Sequence, residues 1–185
     1  MIIKRLKEAA HSFPRHTAII YNESRISYEQ LDSKVQGLSE GLSSLEIGKG
    51  DCVAFVLPNC PEFVYSFYAV AQLQGIVLPI NHLFKAEELS YCISDSNAKA
   101  VITDLKRAKI CQDIIANIDR KIDLIVVDSV YPKSHYLYHL ILPVKSQHQE
   151  YSENALSSEL LYQYSSGSTG KPKRIARSQG SLYHE

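Results

Sequence analysis

The sequence carries no surplus of either charge: 20 Lys and Arg balance 20 Asp and Glu, for a formal net charge of zero. Nucleic-acid binding needs a basic face or stripe. The one basic cluster, Lys4-Arg5-Leu6-Lys7, is short and reads as the solvated face of a helix. Cysteine is sparse, and Cys52, Cys60, Cys92 and Cys111 form no CxxC pair. That spacing excludes a disulfide framework and predicts buried free thiols in a reducing, cytoplasmic setting. The opening Met1-Ile2-Ile3 gives way at once to charge, so the apolar core of a signal peptide is missing. The one long charge-free run, Phe63 to Phe84, is interrupted by Gln72, Gln74, Gly75, Pro79, Asn81 and His82. It predicts a buried helix followed by a buried strand, and no membrane span.

Motifs for several chemistries are missing as well. There is no GxSxG elbow and no telling pair of carboxylates, so hydrolase chemistry has no support. His135 and His139 are four apart and could share a helix face, but no Cys, Asp or Glu stands at metal-ligand spacing from them. Two surface histidines and no metal site are expected.

What is present is a chain of 185 residues, enough for one domain or a large piece of one. Hydrophobic residues make up 45% and charged residues 22%, the composition of a soluble globular protein. The segment up to Ser12 reads as a helix. Thr17–Tyr21 and Arg25–Ser27 flank Asn22-Glu23-Ser24 as a hairpin. Ser27 with Gln30 three residues on makes a capping-box pattern. It opens a helix whose Leu31, Val35, Leu38, Leu42 and Leu45 share one stripe. Gly48-Lys49-Gly50-Asp51 is a turn. The apolar runs Cys52–Leu57, Ile76–Ile80, Lys99–Thr103 and Ile122–Val127 have strand length. Between them lie helices from Pro61 to about Gln74, over Ala86–Ser94, and after the Asp104 cap, the last with Ile110, Ile114, Ile115 and Ile118. Strand and helix in alternation predict an α/β fold, a largely parallel sheet flanked by helices. Residues 130–154 have weak periodicity and read as a surface region with one strand at Tyr136–Leu142. Glu159–Tyr164 and Arg174–Ser178 are expected to be strands on either side of a loop.

That loop carries the chemistry. In Tyr164-Ser165-Ser166-Gly167-Ser168-Thr169-Gly170-Lys171-Pro172-Lys173, hydroxyls, glycines and lysines are packed together. Glycines let several backbone N–H groups converge on one anion, hydroxyls add donors and lysines add charge. A polyphosphate is the ligand such a loop suits. It is not a Walker A loop, because the glycines are separated by two residues and Lys171 is followed by Pro172 rather than Ser or Thr. A purely structural Gly/Ser turn would not need two lysines.

The ten residues resemble the signature of the adenylate-forming superfamily of acyl- and aryl-CoA ligases, peptide-synthetase adenylation domains and luciferases. Ser27-Tyr28-Glu29-Gln30-Leu31-Asp32, Gly50-Asp51-Cys52-Val53-Ala54, Leu57-Pro58-Asn59-Cys60-Pro61-Glu62 and Gly75-Ile76-Val77-Leu78-Pro79-Ile80-Asn81 resemble upstream segments of the same superfamily. The similarity runs from about residue 10 to 185. Arg174 stands where the family usually has Gly, and Gln179 where a His is common.

The resemblance implies residues 1–185 of an N-terminal AMP-binding domain that is incomplete, without the C-terminal subdomain. It implies ATP with Mg²⁺ as cofactor, a carboxylic acid as substrate and CoA as acceptor. Ser165, Ser166, Gly167, Ser168, Thr169 and Gly170 would wrap the phosphates, with Lys173 offsetting their charge and Lys171 beside it. The adenine motif, the ribose-binding Asp and the catalytic Lys of the family lie downstream of this loop, so no catalytic residue is expected among the 185. Three readings follow: part of an acid–CoA ligase, a non-enzymatic nucleotide- or partner-binding module, and a subunit completed in trans. An open sheet edge would also permit self-association.

Overall fold

Local signals build the first elements. The computed structural model describes residues 2–143, 157–165 and 172–183. Helix α1 (Ile2–Ser12) leads into a hairpin of β1 (Thr17–Tyr21) and β2 (Ser24–Ser27). Its turn holds Asn22 at a φ of 51°, a left-handed conformation that Asn tolerates better than most residues. Helix α2 (Tyr28–Ser44) starts on a capping box: Gln30 N donates to Ser27 Oγ at 3.2 Å, and Ser27 N donates to Gln30 Oε1 at 2.9 Å. Leu31, Val35, Leu38 and Leu42 form its buried stripe.

The apolar runs become strands of one sheet. After β3 (Cys52–Val56) come α3 (Pro61–Gln72), β4 (Ile76–Pro79), α4 (Ala86–Asp95), β5 (Ala100–Thr103), α5 (Leu105–Ala116) and β6 (Asp123–Val126). Then follow β7 (His135–Tyr136), a 3-10 turn (Leu137–His139), β8 (Glu159–Ser165), β9 (Lys173–Ser178) and α6 (Gln179–Tyr183). Among the described residues the strands β7-β6-β5-β3-β4-β8-β9 form one seven-stranded sheet. Neighbours are parallel except for the final β8–β9 pair, which is antiparallel. The α/β reading with a largely parallel sheet therefore holds.

Every residue of β3 is buried because helices cover both of its faces. Val53 and Phe55 pack with Leu38, Leu42 and Val70 of the α1–α3 layer. Cys52, Ala54 and Val56 pack with Leu89, Ile93 and Cys111 of the α4–α5 layer. Each fully buried Val, Leu or Phe contributes roughly 1.5–3 kcal/mol, so this alternation fixes the strand's register. The charge-free run from Phe63 is divided between α3 and β4, and among the described residues no helix is long and apolar enough to cross a membrane. The cysteines are free; Cys52, Cys92 and Cys111 are buried and Cys60 half-buried. Burial pushes the Cys52 thiol up to about 12 and that of Cys111 to about 11, which makes both poor nucleophiles.

Two expectations need correction. The strand expected at Tyr136–Leu142 is only His135–Tyr136, followed by the 3-10 turn. The backbone leaves the sheet there because residues 140–142 dock on α2, where Leu142 N donates to Gly37 O at 3.1 Å. A Cβ on Gly37 would sit 2.5 Å from Leu142 O, and one on Gly41 would overlap the Leu140 carbonyl. In α5 the buried residues are Ala108, Cys111 and Ile114, while Ile110 and Ile115 are only half-buried and Ile118 lies past the helix.

Candidate functional site

The carboxyl ends of β3, β4, β5 and β8 point the same way because those strands are parallel. In open α/β sheets ligands bind outside the carboxyl ends of the strands. The Gly- and Ser-rich loop follows β8 at that edge. Its two stems are set by the β8–β9 register, in which Tyr164 pairs with Arg174 and Ser165 with Lys173. Ser165 Oγ donates to Lys173 O at 3.4 Å across the mouth. Of the residues expected to form the site, Ser165 and Lys173 are thus brought face to face. Ser166, Gly167, Ser168, Thr169, Gly170 and Lys171 lie outside the described residues.

The stem rests on α4. Side chains alternate along a strand, so Tyr162 and Tyr164 leave β8 on one face, and both pack against the α4–α5 layer. Tyr164 OH donates to Asp95 Oδ2 at 2.6 Å. Its ring meets Tyr91 edge-on, with centroids 6.1 Å apart. Tyr91 OH donates to Pro172 O at 3.3 Å. Arg174 Nη1 donates to Asp95 O at 2.8 Å and lies 3.7 Å from Asp95 Oδ2, with its guanidinium 4.8 Å above the Tyr162 ring. Burial, then the hydrogen bond to Asp95, drives the Tyr164 phenol far above its ordinary value. Burial, then the bond to Glu159, pushes Tyr162 up to about 12. Both phenols remain protonated donors at neutral pH.

Sequence reasoning missed Tyr91 and Asp95. They stand four apart, on one face of α4, but nothing local says which strand that face meets. Gln179 is at the other end of β9 from the loop, where its N–H donates to Ser158 O at 3.0 Å. It is 0% exposed, and neither atom of its carboxamide has a hydrogen-bond partner among the described residues. The histidine pair does not share a helix face: His135 is on β7, with Nε2 3.3 Å from Asp123 Oδ1, and His139 is in the 3-10 turn against the Tyr136 ring. Among the described residues no group of three His, Cys, Asp or Glu is placed to hold a metal ion.

The donor set fits a polyphosphate. A hydroxyl and an exposed ammonium flank the mouth, and the loop between them is rich in Gly, Ser and Thr. Comparison with known proteins points the same way. Residues 6–185 match the AMP-binding enzyme family. The long-chain-fatty-acid–CoA ligase FadD13 of Mycobacterium tuberculosis is 30% identical over 96% of this chain and 35% of its own length. A feruloyl-CoA synthase of Amycolatopsis is 27% identical over 94% of this chain and 32% of its own. The solved structure of a M. tuberculosis fatty acyl CoA synthetase superposes with a TM-score of 0.83 at 28% identity, over 98% of this chain and 35% of that one. The chain spans about a third of the length of these relatives.

Proposed function

Because the chain belongs to the AMP-binding enzyme family, we propose that it supplies the phosphate-binding part of an ATP-dependent acid–CoA ligase. The observation that carries this reading is the β8–β9 hairpin, which presents the loop sequence at the carboxyl edge of a parallel sheet with Ser165 opposite Lys173.

In the proposed reaction a carboxylate oxygen attacks the α-phosphorus of ATP. The bond to the bridging oxygen breaks, and pyrophosphate leaves with the electron pair. A thiol sulfur, that of CoA, then attacks the acyl carbon of the adenylate; the thiol proton goes to solvent and AMP departs. This chain's contribution is electrostatic. Charge grows on the departing pyrophosphate, and preformed donors aimed at it lower the barrier without reorganising. Ser165, Ser166, Ser168 and Thr169 would offer hydroxyls, Gly167 and Gly170 close backbone N–H groups, and Lys173 and Lys171 positive charge. Mg²⁺ usually binds through substrate phosphates and one or two carboxylates. Among the described residues no group of three His, Cys, Asp or Glu would cage it.

The outer edge of β9 pairs with no strand among the described residues. A second reading, in which another polypeptide completes the enzyme in trans, would require that edge to be covered by the added chain.

ATP titrated calorimetrically into the 185-residue chain should bind, and Lys173→Ala should weaken it about tenfold, the loss of one charge-assisted contact. ATP–pyrophosphate exchange with a panel of acids should stay at background for the chain by itself. Robust exchange would show that the 185 residues suffice, and no ATP binding would remove the nucleotide reading.

A further inference from the structure

The loop's two stems are held by a helix that contributes nothing to the loop sequence. Asp95 accepts from Tyr164 on the incoming strand through its carboxylate and from Arg174 on the outgoing strand through its carbonyl. One turn back on α4, Tyr91 donates to the carbonyl of Pro172, just before β9. The contacts reach β8 one residue before Ser165 and the outgoing chain on both sides of Lys173, at Pro172 and Arg174. The Tyr91–Tyr164 ring contact and the Arg174–Tyr162 stack close the gaps between them. Arg174, at the position where the resemblance leads one to expect Gly, is what ties the outgoing strand to Asp95.

We propose that Tyr91 and Asp95 of α4 are positioning residues for the phosphate loop, clamping both of its stems so that triphosphate affinity depends on a helix outside the loop. This rests on the nucleotide reading above. Stems held at a fixed separation spare a loop part of the ordering cost that binding an anion would otherwise carry. Asp95 is the central contact because it meets both strands. Tyr91 adds a hydrogen bond to Pro172, just before the outgoing strand, and a ring contact with Tyr164 on the incoming one.

The experiment measures ATP and AMP affinity of the 185-residue chain and of Asp95→Ala, Asp95→Asn, Tyr164→Phe and Tyr91→Phe. It follows amide exchange at Ser165 and Lys173, and thermal unfolding of each variant, alongside. Asp95→Ala and Tyr164→Phe should weaken ATP about tenfold, the scale of a lost hydrogen bond to a charged group. Asp95→Asn keeps an acceptor for Tyr164 and should restore most of that loss. AMP, which lacks the outer phosphates, should bind all variants equally. The double variant Asp95→Ala/Tyr164→Phe should be no weaker than Asp95→Ala, as expected for two groups acting through one contact. General destabilisation would lower ATP and AMP affinity together with the unfolding midpoint, and that pattern overturns the proposal, as does unchanged ATP affinity. If the unaltered chain binds no ATP, the nucleotide reading fails separately. The clamp is then judged on exchange: faster exchange at Ser165 and Lys173 in Asp95→Ala upholds it, and unchanged exchange overturns it.

Discussion

Gly41 has no room for a side chain. It sits inside α2, where Ala would ordinarily be preferred by up to about 1 kcal/mol. The Leu140 carbonyl occupies the space a Cβ would take, and main chain cannot rotate away as a side chain can. Gly41→Ala should therefore be a net loss, with overpacking of roughly 1–3 kcal/mol exceeding the propensity gain. Gly48, with nothing near its would-be Cβ, is the control: Gly48→Ala should stay within about 0.5 kcal/mol. Urea unfolding of the two variants separates the cases. Asp32 is a second residue whose environment sets a measurable sign. Its Oδ2 accepts from Gln36 Nε2, while its Oδ1 is buried without a hydrogen-bond partner among the described residues. Burial raises its pKa, outweighing the attraction of Lys7. The folded state then holds the proton to higher pH than the unfolded state, so this residue's effect on stability worsens as pH rises from the ordinary carboxylate value through the raised one. Asp32→Asn removes that dependence and should raise the melting temperature at pH 7 while giving no gain at pH 3. An equal gain at both would mean that the carboxylate charge is not what costs stability.

At the scale of elements, the signals that read correctly are those completed within a few residues. The Ser27–Gln30 capping box is one, and losing it should be visible: Ser27→Ala is expected to cost about 1 kcal/mol, read from the shift in the denaturation midpoint. The Asn22 turn and the apolar run of β3 are others. In each case the residues that decide the conformation are sequence neighbours or repeat at the period of the element. The departure at residues 140–142 has a different origin. Residues 140–142 leave the sheet because α2 offers them a groove between Gly37 and Gly41, a contact about a hundred residues distant that no periodicity announces. Helix α5 ends at Ala116, so Ile118 lies beyond it while still packing against the α4–α5 core. The site divides in the same way. Ser165 and Lys173 could be named as candidates because the loop's residues lie in one continuous run. Tyr91 and Asp95 could not, because their contacts exist only once α4 is laid along the β8–β9 stem.

For the molecule as a whole, the sheet of the described residues ends on β9, and that edge is the place to look for association. Lys173, Ile175 and Arg177 alternate along it with Arg174 and Ala176, and Ile175 is 50% exposed. Two copies could pair these edges antiparallel in a register centred on Ile175. The isoleucines would then meet, with Lys173 of each copy opposite Arg177 of the other. Like charges directly opposite destabilise such pairing, and cations on an edge strand are a common guard against it. The balance is set by salt, because the Debye length falls from about 10 Å at 0.1 M to about 3 Å at 1 M. Sedimentation velocity should accordingly find monomer at low ionic strength and a growing dimer fraction as salt rises. Apolar association elsewhere on the surface would also respond to salt, so Ile175→Lys provides the distinction. It removes the meeting isoleucines and adds a further charge without emptying the core. The variant should remain monomeric at both ionic strengths, and a dimer that survives the substitution would place self-association on another surface.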